Sequence, residues 1–207
     1  MKKNKNHAFK TYDKIASWYD QNRSRELFEK NWLDQAIALL PENPKVLDLG
    51  CGTGTPMIDY FLEKGCQVTG IDGSENQIAI AKTRYHNVTF IVSDMRNLNL
   101  DQKFDLIIAW HSFFHLPQHD QQTMFPKFSS HLKPSGILLF TSGPEAGEIW
   151  SENGGEALYH ASLSPDEYKD LLQKHGFTLI NHRILDPECG DATVWLAKLL
   201  PIPIENP

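Results

Sequence analysis

Cysteine is scarce in this chain of 207 residues: Cys51, Cys66 and Cys189 are the whole complement, with no C-x-x-C pair and no metal-ligand spacing. A sparse, odd set argues against a disulfide framework and fits reduced thiols in a cytoplasmic protein. Positive charge is also in deficit, 20 Lys and Arg against 26 Asp and Glu, for a net charge of −6. Nucleic-acid-binding surfaces are normally basic, so no nucleic-acid partner is expected. No apolar run approaches the ~18 residues of a spanning helix, so no membrane partner is expected either. Met1-Lys2-Lys3 is basic, but no apolar segment follows it as a signal peptide would require. Repeats and low-complexity tracts are missing. What remains is length for one α/β domain with a full core, as monomer or homodimer.

What the sequence does have is Val46-Leu47-Asp48-Leu49-Gly50-Cys51-Gly52-Thr53-Gly54. The apolar start reads as a buried parallel strand. Glycines at alternate positions allow a tight turn and let a ligand lie against bare backbone. Thr55 and Pro56 then open a helix, with proline suited to its first turn. Strand, glycine turn and helix together make a nucleotide crevice at the carboxyl edge of an open sheet. A dinucleotide fingerprint, G-x-G-x-x-G counted from Gly50, would need glycine at position 55, where Thr55 stands. The spacing is D-x-G-x-G-x-G instead.

That pattern resembles the first motif of the class I S-adenosylmethionine-dependent methyltransferases, and the resemblance runs from residue 9 to residue 198. It implies a Rossmann-like α/β fold: a seven-stranded, mostly parallel sheet with helices on both faces, order 3-2-1-4-5-7-6, last strand antiparallel. It also implies S-adenosylmethionine as cofactor, S-adenosylhomocysteine as product and a small-molecule methyl acceptor. Asp48, Gly50, Cys51, Gly52 and Gly54 fall on the cofactor loop. The whole of 1–207 reads as a single methyltransferase domain, with 1–40 as an N-terminal helical cap and 142–163 as a substrate lid.

Phe9 to Leu40 reads as two helices with a break near Ser24. Ile15, Trp18 and Tyr19 share one face, and Trp32, Ala36, Leu39 and Leu40 continue it. Tyr12-Asp13-Lys14-Ile15-Ala16-Ser17-Trp18-Tyr19-Asp20 is similar to the family segment that closes over cofactor and substrate. There Tyr19 or Tyr12 would face the sulfonium, a favourable cation–π pairing; plain packing is the other reading. Met57 to Lys64 is a helix with Ile58, Phe61 and Leu62 inward, closed by Gly65. Gln67 to Ile71 is a strand ending in Asp72, an acid about 20 residues past a glycine loop and so placed for vicinal ribose hydroxyls. Gly73, Ser74 and Gln77 follow it into the same site, Ser74-Glu75-Asn76-Gln77 being a capping box. Val88 to Val92 is a third strand. After it the resemblance gives Asp94 and Met95 the adenine ring.

Phe104 to Ala109 is a central strand, opening into Trp110-His111-Ser112-Phe113-Phe114-His115-Leu116-Pro117. Trp110 is assigned to the cofactor site. Family members that methylate exocyclic base amines carry Asn/Asp/Ser-Pro-Pro-aromatic here, and this chain does not. His111 and His115 stand four apart, but without the Glu of an H-E-x-x-H arrangement, so no metal is expected. His111, His115 and His160 are the candidate bases. Lys133-Pro134-Ser135-Gly136 leads into a fifth strand, Ile137 to Thr141. Ser164-Pro165-Asp166-Glu167 starts a helix with Tyr168, Leu171 and Leu172 inward and Gly176 at its end. Phe177–Leu185 and Ala192–Leu199 pair as an antiparallel hairpin. Ser142 to Leu163 shows no period and reads as an unstructured lid. Its grip on substrate would come from Glu145, Glu148, Trp150, Tyr159 and His160. Two other functions fit the cofactor loop: a non-catalytic S-adenosylmethionine-binding protein, and an NAD(P)-dependent oxidoreductase, against which the glycine count speaks.

Overall fold

The structure is a computed structural model that describes residues 5–201; the basic Met1-Lys2-Lys3 lies outside them. In chain order the elements are α1 (Ala8–Lys14), α2 (Ala16–Asn22), α3 (Lys30–Ile37), β1 (Lys45–Leu49), α4 (Met57–Glu63), β2 (Gln67–Asp72), α5 (Glu75–Arg84) and β3 (Thr89–Val92). There follow β4 (Phe104–Ala109), α6 (Gln118–His131), β5 (Leu132–Ser142), β6 (Gly147–Asn153), β7 (Glu156–Ser162), α7 (Pro165–Lys174), β8 (Phe177–Asp186) and β9 (Ala192–Leu199).

The near-continuous apolar runs become the centre of the sheet. Every residue of β4 is buried, as is all of β1 after Lys45, because helices cover both faces. The sheet order is β3-β2-β1-β4-β5-β9-β8. β9 runs antiparallel to both β5 and β8, so the expected order 3-2-1-4-5-7-6 and its antiparallel last strand are both present. One face packs Trp32, Phe61 and Ile78 from α3, α4 and α5. On the other, Phe125 and Phe128 of α6 and Tyr168 of α7 meet Phe113, Phe140 and Trp195. The chain order reverses direction between β1 and β4, and open α/β sheets hold ligands in the crevice above such a point.

Local chemistry sets the ends. Ser164 and Glu167 close a full capping box at α7. At α5 the box is only half made: Ser74 Oγ accepts from the Gln77 N–H, but Gln77 Oε1 stays buried without a partner.

Four expectations need correction. The N-terminal segment forms three helices, with an added break at Ile15, and α3 ends at Ile37, leaving Leu39 exposed. Leu62 also faces outward. Residues 118–131 form a helix, α6, that the sequence did not announce; Pro126 within it obscures the period of Gln121, Met124, Phe125 and Phe128. The segment after β5 is no unstructured loop. It is a seven-pair antiparallel hairpin, Gly147 opposite Ser162 through Asn153 opposite Glu156. Its first strand is exposed or half-exposed along its whole length, so no buried face imposes an alternation to read. The three cysteines are free and buried, and among the described residues no helix is long and apolar enough to cross a membrane.

Candidate functional site

A cleft of roughly 730 Å³, its open mouth included, lies above the carboxyl ends of β1, β2 and β4. Its floor is the glycine turn, where three glycines answer to three different constraints. A Cβ on Gly50 would meet Ser112 Cβ at 2.2 Å, and one on Gly54 would meet the Tyr85 ring at 2.6 Å. Those two glycines admit protein neighbours. Gly52 has φ +55° and nothing closer than 3.4 Å, so its bare backbone faces the cleft.

Asp72, at the end of β2, is oriented by its neighbours. Oδ2 accepts from the Gly52 N–H at 2.9 Å and Oδ1 from the Ser74 N–H at 2.8 Å. Burial pushes its carboxyl up, against the pull of those two donors. A carboxylate has about four lone-pair positions, so each oxygen keeps one for a ligand hydroxyl. Gln77 Oε1 lies beside Gly52, the orphaned acceptor already noted. Together, an open backbone, an oriented carboxylate and an unsatisfied acceptor fit a ligand rich in donors, as a nucleoside with an amino-acid tail is.

Asp94, Met95 and Trp110 also line the cleft. Asp94 is not free: Arg96 donates to both its oxygens and bridges on to Asp120 at 2.8 Å. Arg96 holds the Asp94 carboxyl below the usual carboxylate range, although burial opposes this. Four expected residues sit behind the lining. Ser74 is consumed as the cap of α5, and Gly54 and the Cys51 thiol are buried. Asp48 is 3% exposed, and its carboxyl is pushed up to about 7 by burial, with Arg23 opposing and Asp72 adding to the rise.

The roof is built by the N-terminal helices. Asp13 Oδ1 accepts from Ser74 Oγ at 2.8 Å and from the Asn76 N–H at 2.9 Å, docking α1 on the start of α5. Phe9 covers Gly73 so closely that a Cβ there would come within 2.6 Å. Asp20 and Arg84 form an ion pair that fastens α2 to the end of α5. Tyr12 and Tyr19 both reach the cleft, their rings edge to face at 5.3 Å. Arg23, which sequence reasoning passed over, lines it too and donates to the Tyr19 hydroxyl at 2.9 Å. Its position four residues after Tyr19 was the available signal. The hairpin of β6 and β7 rests on this roof, with Gly154 against the Trp18 ring and Glu156 paired with Lys14.

The three histidines divide. His111 lines the cleft, with φ +48° and its N–H on Thr141 Oγ1 at 2.8 Å. A non-glycine residue held there stores local strain, which is commonest at working sites. Burial, Arg23 and His160 lower its pKa to about 4. His115 lies deeper, lowered to about 3, mainly by burial. His160 is outside the cleft, stacked on Phe114 at 5.3 Å along an adjoining open groove bordered by Glu145, Glu148 and Ile149. Among the described residues no three His, Cys, Asp or Glu side chains group as metal ligands.

Residues 46–136 match a family model described as a methyltransferase domain. Over 153 residues the chain is 36% identical to malonyl-acyl-carrier-protein O-methyltransferase of Bacillus cytotoxicus, covering 69% of this chain and 49% of that one. Over 107 residues it is 37% identical to trans-aconitate 2-methyltransferase of Escherichia coli, covering 50% and 42%. The chain thus spans about half the length of the curated relatives it matches. Among solved structures, an S-adenosylmethionine-bound amino pentose methyltransferase from Micromonospora echinaspora superposes with TM-score 0.69 at 17% identity, over 88% of this chain and 94% of that one. Residues 46–136 are thus similar to a methyltransferase domain, and the chain shares the fold of the S-adenosylmethionine-dependent methyltransferases on which it superposes.

Proposed function

We propose that the cleft binds S-adenosylmethionine and that the protein moves its methyl group to a small-molecule acceptor. The observation that carries this is the trio of Gly52, Asp72 and Gln77: bare backbone, an oriented carboxylate and an orphaned buried acceptor within one crevice. Asp72 takes the ribose hydroxyls, Met95 borders the adenine beside Asp94, whose oxygens Arg96 already occupies, and Tyr19 with Arg23 takes the amino-acid end. The hairpin acts as a lid over the acceptor. When bound, the cofactor supplies an electrophilic methyl on a sulfonium.

What the chain itself must do is hold, align and keep water out, and such alignment can lower a barrier by ~7–11 kcal/mol. The histidines refine the acceptor. A general base works best with a pKa near the operating pH, and His111, at about 4, is a neutral but weakly basic imidazole. It suits a nucleophile that needs no base to activate it, a carboxylate or a neutral amine, better than an alcohol. The similar proteins are compatible with this: two are methyltransferases of malonyl-acyl-carrier protein and of trans-aconitate, and the third is an amino pentose methyltransferase.

The test has two stages. Titration with S-adenosylhomocysteine should show micromolar binding, and NADH should show none. A panel of carboxylates, amines and alcohols should then be screened for homocysteine release after hydrolysis of the product. Turnover confined to alcohols would refute the acceptor class, and absence of cofactor binding would refute the function.

A further inference from the structure

His115 is buried and makes two hydrogen bonds that fix its protonation. Nδ1 lies 2.8 Å from the Tyr159 carbonyl oxygen on β7. A carbonyl only accepts, so Nδ1 carries the proton. The lowered pKa keeps the ring neutral, which leaves Nε2 bare. Nε2 lies 3.0 Å from the Tyr12 hydroxyl, which must therefore donate. Tyr12 stands on α1 and its ring meets that of His115 at 5.3 Å. One imidazole thus ties the hairpin backbone to the helix that roofs the cleft. Asn153 of the hairpin also bonds the Tyr12 side chain, and Gly154 packs on the Trp18 ring; further out are Thr11 Oγ1, at 3.5 Å from the Ala157 carbonyl, and the ion pairs of Lys5 with Glu148 and Lys14 with Glu156. Exposed pairs of that kind contribute little.

We propose that His115 is a positioning residue rather than a base: as its Nδ1–H tautomer it hangs from Tyr159 and fixes Tyr12, so that hairpin and N-terminal helix close over bound cofactor as one body. This rests on reading the cleft as the cofactor site. Neither nitrogen is free to take a proton from an acceptor, since one is already protonated and the other already holds the Tyr12 hydroxyl. The catalytic consequence is retention: the roof stays shut until product leaves.

S-adenosylhomocysteine release, followed by stopped-flow fluorescence in the full chain, tests this without an acceptor. Tyr12→Phe deletes only the hydroxyl, and His115→Phe keeps the ring while removing both bonds. Each should raise the dissociation rate about ten-fold with the association rate within about two-fold, the scale of one lost buried hydrogen bond. The double variant should fall well short of the product of the two single effects, because both remove the Tyr12–His115 link. His115→Gln, whose side-chain oxygen reaches about as far as Nε2, should stay closer to wild type than His115→Asn. Circular dichroism reports whether each variant keeps its fold, and Tyr12→Phe remains decisive if His115→Phe does not. Unchanged dissociation in Tyr12→Phe, or multiplied effects in the double variant, would overturn the proposal while leaving the cofactor site standing. Failure of the wild type to bind S-adenosylhomocysteine would overturn both.

Discussion

The floor and the roof of the cleft are held by different kinds of bond. The floor is backbone: Gly50, Gly52, the turn at Asp72, and strand ends buried in the sheet. The roof is side chains meeting across long sequence separations, such as Asp13 on Ser74, Asp20 on Arg84, and Tyr12 on His115. A floor of that kind cannot shift without breaking the sheet, whereas a roof of hydrogen bonds and ring contacts can open at local cost. A nucleoside-like ligand is the same in every turnover, and a rigid floor suits it. On the function proposed above, acceptor entry and product exit need movement, which a roof of this kind permits.

The sharpest way to break this contrast is at the glycines. Gly52→Val should lose at least ~3 kcal/mol of cofactor affinity, about two decades in Kd, with a smaller fall in melting temperature from the strain of a β-branched residue at φ +55°. Gly54→Val, pressed on Tyr85, should instead lower the melting temperature first. Equal behaviour of the two would dissolve the distinction between ligand-facing and packing glycines. Next in size, replacing Gly147 to Gly155 by a short Gly-Ser linker should reduce methyl transfer about a hundred-fold through lost alignment. Cofactor affinity should fall only about ten-fold, the scale of the lost tie to the roof, because Gly52, Asp72 and Gln77 remain. Parallel loss of both would make the hairpin part of the floor. Asp72→Ala should weaken cofactor binding by about 1–3 kcal/mol, the usual result of unpairing buried polar groups; calorimetry measures it, and unchanged affinity would demote Asp72 to a structural acid.

The smallest effect concerns Asp48. Its folded pKa of about 7 lies above the ordinary 3.8, so its contribution to stability is full at low pH and is lost as pH rises through 7. Asp48→Asn should remove that loss, and after local relaxation the gain at pH 8 should be about 1 kcal/mol, or 2–4 °C in melting temperature. About a third of that gain is expected at pH 5 and none below pH 3.8, because the loss accumulates between 3.8 and 7. A variant equally shifted at pH 5 and pH 8 would show that Asp48 is ionised throughout.

The same contrast explains what the sequence disclosed. The floor was legible because a nucleoside imposes residue types at short spacing: the glycines from Gly50 to Gly54, and acids at the ends of β2 and β3. Strand order and the antiparallel last strand followed from the family resemblance those residues carry. The roof was not legible, since its bonds join residues that are remote in sequence. Tyr12 and His115 are 103 positions apart, and no local pattern couples a tyrosine to one particular histidine. Arg23 fell in what read as a helix break, and the hairpin offered no buried face to betray its strands. Four expected floor residues, Asp48, Cys51, Gly54 and Ser74, lie one layer behind the cleft. A motif marks the turn but does not say which of its side chains face inward.

β9 has a consequence for how the molecule is made. It is the last strand among the described residues, yet it lies inside the sheet, between β5 and β8. β8 therefore has no partner in the sheet until residues 192–199 have left the ribosome. The sheet closes by insertion at its interior rather than by growth at an edge, joining segments some 55 residues apart in β5 and β9. Contacts of such separation form slowly. In the interval the inner edge of β5 is unpaired, with apolar faces on either side, and that is the moment at which the nascent protein is most exposed to aggregation.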